Sequence, residues 1–181
     1  VHSSNLFHFD ALTDFGMSIQ LAAIAAGSIA VGDLLGRTGI AVIGDKYDRI
    51  NLLTITFFLQ ALGILALPLI NFSLNNFELG YIPLPVFVIG YGVGFGASIP
   101  LRLTLLADYF GRTSYGSIVG LTASINAIFG AIGPALIGFF YDLNNDYRIG
   151  FFIMAILLVI SIPLCMTLES PSKFLKKFKN N

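Results

Sequence analysis

The sequence predicts an all-α membrane protein, a polytopic bundle of about five spanning helices, and three observations carry that prediction. Hydrophobic residues fill 56% of the 181 positions and charged residues only 11%, where a soluble domain carries roughly 25% charged residues. Five apolar stretches, near 16–43, 50–70, 82–107, 115–140 and 149–167, each reach the roughly 20 residues that a helix needs to cross a bilayer. Short polar segments separate them, GDKYDR, NFSLNNFELGY, ADYFGRTSY and DLNNDYR, so consecutive helices are expected to be antiparallel neighbours.

Residues 1–15 (VHSSNLFHFDALTDF) are polar and aromatic. They read as the frayed end of a helix followed by an external loop, and the start at Val1 suggests that the beginning of the gene product is missing. His2, His8, Asp10 and Asp14 lie here, but their spacing fits no metal-ligand pattern, and no metal is expected. The transmembrane bundle is expected over 16–168 and a basic tail over 169–181.

The first span holds the most informative stretch, Gly32 to Arg49 (GDLLGRTGIAVIGDKYDR). Asp33 and Arg37 stand four residues apart, on one helix face. Either charge costs about 2.5–3.5 kcal/mol to insert at mid-membrane, so a span that carries both needs a partner or a task for them. Asp45, Lys46, Asp48 and Arg49 follow, where the helix has to leave the bilayer.

Loop charges set the orientation. Lys46, Arg49, Arg112, Lys173, Lys176, Lys177 and Lys179 fall on one side and Arg148 alone on the other. The first side, with the C-terminus, is therefore expected in the cytoplasm. The opposite loops carry Asp10, Asp14, Glu78, Asp142 and Asp146 and face out.

In the third span Gly90, Gly92, Gly94 and Gly96 alternate, and Gly92-xxx-Gly96 is a small-xxx-small pair that lets a neighbouring backbone approach. A strand reading fails, because an open strand cannot lie in lipid. Pro100 removes one backbone hydrogen bond and permits a kink. Arg102, a turn or two from the cytoplasmic end, can snorkel, pair with Asp45 or Asp108, or line a pathway; pairing is the plainest role. The fourth span has Gly116-xxx-Gly120, a second set of packing candidates in Gly130, Gly133 and Pro134, and two mid-helix hydrogen-bonding residues, Ser124 and Asn126. Asn126 could touch substrate or bridge to another helix. The last span has no charge and is expected to face lipid. The tail PSKFLKKFKNN alternates Lys with Phe and Leu, as a surface anchor does; positive-inside anchoring explains its lysines, and no nucleic acid is expected.

Taken together, helix–GDKYDR–helix, a Gly-rich helix ending LLADYFGRTSYGSIVGL, and GxxGPxLxGxxYD resemble the major facilitator superfamily, across nearly the whole chain and at spans eight to twelve of a twelve-helix transporter. DYFGRxSYGSIxG and HF-DALTDFGMS are most similar to its monocarboxylate and oxalate/formate branch. The resemblance implies a partial major-facilitator fold in which Arg37 receives a substrate carboxylate and Asp33 carries a coupling proton. It implies proton-linked movement of a small organic anion by alternating access, in a plasma or inner membrane, with an N-terminal half of the same chain completing the pathway. The alternatives are a neutral-solute facilitator with a structural Asp33–Arg37 pair, and a non-transporting multi-helix scaffold. The family's loop motif G-x-x-x-D-R/K-x-G-R-R/K is matched at Asp45, Lys46 and Arg49, with Ala41 and Asp48 at its two glycines. That implies a cytoplasmic gate of Asp45, Lys46, Arg49, Arg102, Asp108 and Arg112.

Other chemistry finds little support. There is no phosphate-binding G-x-x-x-x-G-K-S/T, and GYGVGFG lacks the strand-then-helix setting of a dinucleotide site, so no cofactor is expected. No nucleophile–base pair sits in the spans, and an enzyme is not expected. Cys165 alone cannot form an intrachain disulfide and reads as a small core residue.

Overall fold

The computed structural model describes residues 4–71, 73–74, 77–78, 80–171 and 174, with the side chains of 4–7, 73–74, 77–78 and 112 excepted. The tail lysines lie outside the described residues. The helices are α1 (Ser4–Asp14), α2 (Ile19–Ile43), α3 (Arg49–Ala66), α4 (Pro83–Gly111), α5 (Thr113–Asn144) and α6 (Arg148–Met166). A two-residue antiparallel ladder, Ser73–Leu74 with Phe77–Glu78, lies between α3 and α4. All but α1 are long and apolar enough to cross a membrane.

Residues 1–15 hold more helix than the frayed helix end and loop expected there. From Ser4 they are helical, and Ala11 and Leu12 are completely buried. His8 lies inside as well, edge-on to Phe87 and Tyr91 and stacked on Phe151, its Nε2 without a hydrogen-bond partner among the described residues. The apolar side of this helix closes over the ends of α4 and α6.

Helix ends follow local chemistry. The Ser18 hydroxyl accepts from the Leu21 amide at 3.3 Å to cap α2. Asp48 Oδ1 accepts from the Ile50 and Asn51 amides, both at 3.0 Å, to cap α3. Between α4 and α5 the break is a single residue, Gly111 at φ 69°, ψ −178°, a conformation essentially reserved for glycine. This replaces the expected loop ADYFGRTSY. Helical geometry continues through Pro100, so the turn in this region belongs to Gly111.

α4 is the centre of the bundle, and its alternate glycines explain why. Residues two apart on a helix point about 200° apart, so Gly90/Gly94 and Gly92/Gly96 form two stripes on nearly opposite faces. One stripe meets α2: a Cβ on Gly92 would stand 2.9 Å from the Ile29 carbonyl oxygen, and one on Gly96 would strike the Asp33 backbone. α2 answers with Gly32 and Gly36, whose missing side chains leave room for Gly92, Val93 and Ala97. The other stripe meets α3: a Cβ on Gly90 would reach the Leu59 oxygen at 2.9 Å, and one on Gly94 the Thr56 oxygen at 2.8 Å. Buried Gln60 uses that gap to donate from Nε2 to the Gly94 carbonyl at 3.1 Å. α4 is therefore held between α2 and α3 by backbone-to-backbone packing, the kind that associates helices in lipid.

α6 corrects a second expectation. Phe151 and Ala155 are completely buried, while Ile156, Leu157, Ile160 and Leu164 are exposed, so one side of it packs inward on the bundle. A span apolar all round does not reveal which face is covered. α5 is the bare helix, with Leu121, Ile125, Ile128, Phe129 and Leu136 exposed. It meets α6 where Ile137 packs on Gly150, whereas nothing lies within 4 Å of a Cβ placed at Gly116, Gly120 or Gly130. Gly133 and Pro134, the other packing candidates, are half-buried.

Candidate functional site

The α2 ion pair rests on the glycine contact just described. The backbone of Asp33 lies on Gly96, which fixes how far its side chain stands from α4. Arg37 donates from Nε to Asp33 Oδ1 at 3.0 Å and from Nη2 to Oδ2 at 2.9 Å. This two-pronged fork is the strongest geometry the two groups can adopt. The Arg37 and Asp33 side chains are 48% and 25% exposed, flanking the line of Gly32 and Gly36 that packs on α4. Val31, Leu34 and Leu35, further round α2, are exposed, so the pair stands at the border between the covered face and an uncovered apolar one.

At the basic end of the bundle the organising residue is Arg49. It donates to Asp45 Oδ1 at 2.8 Å from Nη2 and to Asp108 from Nη1, tying the α2–α3 turn and the start of α3 to the end of α4. The expected pairing of Asp45 with Arg102 is not what forms among the described residues: Asp45 takes Arg49, and Asp48 receives the first amides of α3. Proximity decides this, because the α2–α3 turn brings Asp45 within reach of Arg49 at the start of α3. Lys46 is exposed, and the side chain of Arg112 lies outside the described residues. Tyr109 adds a second tie, donating to the Glu169 carbonyl.

Arg102 and Asn126 belong elsewhere. Arg102 meets neither Asp45 nor Asp108; its Nε donates to the Ser98 carbonyl at 3.3 Å, within its own helix. It lines a cavity of about 1050 Å³ between α4 and α5, and Asn126 lines the same cavity, apart from Asp33 and Arg37. No hydrogen bond from Asn126 bridges to another helix among the described residues.

At the acidic end sits a feature that sequence reasoning missed. Arg148 donates to the Pro68 and Ile70 carbonyls, the latter at 3.0 Å. Its guanidinium also lies 4.6 Å from the Phe15 ring centroid and 3.5 Å from Asp146. Nearby, Asn71 Nδ2 donates to the Phe15 carbonyl at 2.6 Å and the Tyr81 hydroxyl to that of Gly16 at 3.2 Å. One cation thus clasps the three connections at that end. The signal was in the charge count: a lone Arg among acidic loops has backbone carbonyls to satisfy as well as carboxylates. Burial raises the Asp14 carboxyl above its ordinary range and Asp146 adds to the rise, with Arg148 opposing.

Five spanning helices and a charged pair in a span define a polytopic integral membrane protein with polar chemistry inside its hydrophobic zone. Its family follows from comparison with known proteins: the Major Facilitator Superfamily model matches residues 4–180, and the chain belongs to that family. Relatives include mouse (Mus musculus) "Monocarboxylate transporter 11", 28% identical over 77% of this chain and 32% of the relative. "Probable nitrate transporter NarT" of Staphylococcus epidermidis is 27% identical over 82% and 36%. The "Uncharacterized MFS-type transporter YcxA" of Bacillus subtilis is 25% identical over 74% and 29%. The chain spans about a third or less of the length of these relatives. No solved structure matches it.

Proposed function

We propose that this chain is part of a secondary transporter that moves a small organic anion together with a proton by alternating access. The observation that carries the reading is the forked, partly exposed Asp33–Arg37 pair at the edge of the uncovered face of α2. A guanidinium fork suits any small planar oxyanion, carboxylate or nitrate alike, and those are the anions in the names of the mouse and staphylococcal relatives. The fork also supplies a coupling rule. While Asp33 is ionised it occupies both donors of Arg37, in direct competition with a substrate carboxylate. Protonating Asp33 removes its charge, weakens the fork and hands Arg37 to the substrate. Anion and proton then travel as one neutral load. The uncovered faces of α2 and α5 meet the other half of the transporter, with substrate between the halves near the midplane. Arg49, held by Asp45 and Asp108, closes the cytoplasmic end in one state and releases in the other.

Uptake of labelled carboxylates into proteoliposomes carrying the intact protein tests this. Stimulation by an inward proton gradient, lost in Arg37→Ala, is expected. Uptake of sugars or amino acids in preference to carboxylates, with Arg37→Ala unimpaired, would overturn it and leave the pair a structural tie.

A further inference from the structure

Arg102 is a cation within a membrane span, about 9 Å along the axis from Asp108 at 1.5 Å per residue. A guanidinium has five N–H donors. Its Nε is spent on the Ser98 carbonyl; the remaining donors meet no protein acceptor, and Arg102 enters no ion pair among the described residues. It faces the cavity between α4 and α5. On the opposite wall, Thr122 and Asn126 lie one helical turn apart and so on one face of α5. The Thr122 hydroxyl donates to the Val119 carbonyl, while the Asn126 amide makes no hydrogen bond among the described residues. The other walls are mainly hydrocarbon, with Leu53, Ile99, Leu106 and Ile125 among them, and Glu169 is the one carboxylate lining the space among the described residues.

A charge with free donors, a facing amide and apolar walls call for a ligand with one anionic head and a hydrocarbon body. We propose that this cavity is a second anion site, for an amphipathic anion whose carboxylate or phosphate head rests between Arg102 and Asn126 and whose tail lies along the apolar wall. No α2 residue lines the cavity, so the site is separate from Asp33–Arg37 and stands whether or not the transport reading does. The volume of about 1050 Å³ suits a body of drug or single-chain lipid size. The same head chemistry arrives from two sources, a lipid of the leaflet at the basic end or a soluble carboxylate from the aqueous side.

Native mass spectrometry of the intact protein in a neutral maltoside detergent tests the proposal, with dodecanoate, dodecanol, acetate and lysophosphatidate as probes. Dodecanoate or lysophosphatidate is expected to bind about tenfold or more tightly than dodecanol and acetate, as a charge-assisted contact in an apolar setting implies. Arg102→Gln should lose that advantage. Ala123→Phe, which fills the cavity and keeps every polar group, should lose binding altogether and decides the matter if Arg102→Gln fails to fold. Lysophosphatidate binding more tightly than dodecanoate identifies the leaflet lipid; the reverse order identifies a soluble carboxylate. Arg37→Ala separates the two sites, since the proposal requires adducts to persist in it. Equal binding in wild type, Arg102→Gln and Ala123→Phe would overturn the proposal, as would loss of the adduct in Arg37→Ala alone.

Discussion

Arg37 holds Asp33 by both prongs of its guanidinium, so the consequences of changing either residue differ in kind. In the transport reading proposed above, Arg37→Ala removes the cation that receives the substrate carboxylate, and a charge-assisted pair of this type carries about 10- to 100-fold in affinity. The rise in half-saturating substrate concentration for uptake measures it. Asp33→Asn frees the same guanidinium from its carboxylate partner, so on that reading uptake is expected to persist and to lose its response to a proton gradient. Arg49 serves its end of the bundle differently. Asp45 is 86% exposed and Asp108 33%, so Asp45→Asn should cost well under 1 kcal/mol and Asp108→Asn about 1 kcal/mol, read as melting temperature in detergent. Much of this was legible in the letters: Asp33 and Arg37 stand out as charges in an apolar run, and four-residue spacing puts them on one face. The partners of Asp45 and Arg102 were not, since pairing across helices depends on rotation about each axis, which charge counting does not supply. Arg148 escaped notice for a related reason, as its main acceptors are backbone carbonyls that have no letter of their own.

The glycine stripes set the geometry between elements. Adding one methyl at Gly36 or Gly96 drives it into the facing backbone, and overpacking of that kind costs typically 1–3 kcal/mol. Gly130→Ala, with open space around it, should stay within about 0.5 kcal/mol. Thermal unfolding of the purified intact protein, compared across the three variants, checks this contrast. Gly96→Ala carries a further consequence, because it displaces the Asp33 backbone and should impair uptake as well as stability. At the acidic end, the raised Asp14 carboxyl gives a pH effect of definite sign. The folded chain keeps this proton at pH values where the unfolded chain, near the ordinary value of about 3.9, has lost it. The clasp around Arg148 therefore gains stability as pH falls from the raised value toward the ordinary one, and Asn at position 14 should flatten that dependence in a melting series. Spans were readable from length and hydropathy, and Gly92-xxx-Gly96 from its spacing. That Gly90 and Gly94 serve a second neighbour follows from the same period once α4 is known to lie between two helices. The covered side of α6 was not readable, because a uniformly apolar helix has no pattern to break.

At the scale of the molecule, a bundle centred on α4 leaves two long helices bare, α2 along its charged side and α5 along nearly all of its length. Apolar surface of this extent in a membrane protein meets lipid or other helices, and the membership of the chain in a transporter family, at about a third of its relatives' length, assigns those faces to the rest of the transporter in the reading proposed here. Family and fold were legible from loop motifs and the order of spans. The substrate was not, because a guanidinium fork accepts many planar anions. The measurement that bears most directly on the central claim is carboxylate uptake into proteoliposomes, wild type against Arg37→Ala and Asp33→Asn, with and without an inward proton gradient. The expected result is gradient-stimulated uptake in the wild type, uptake in Arg37→Ala that needs about 10- to 100-fold more substrate and no longer responds to the gradient, and gradient-independent uptake in Asp33→Asn. Uptake that responds to the gradient equally in all three would contradict it.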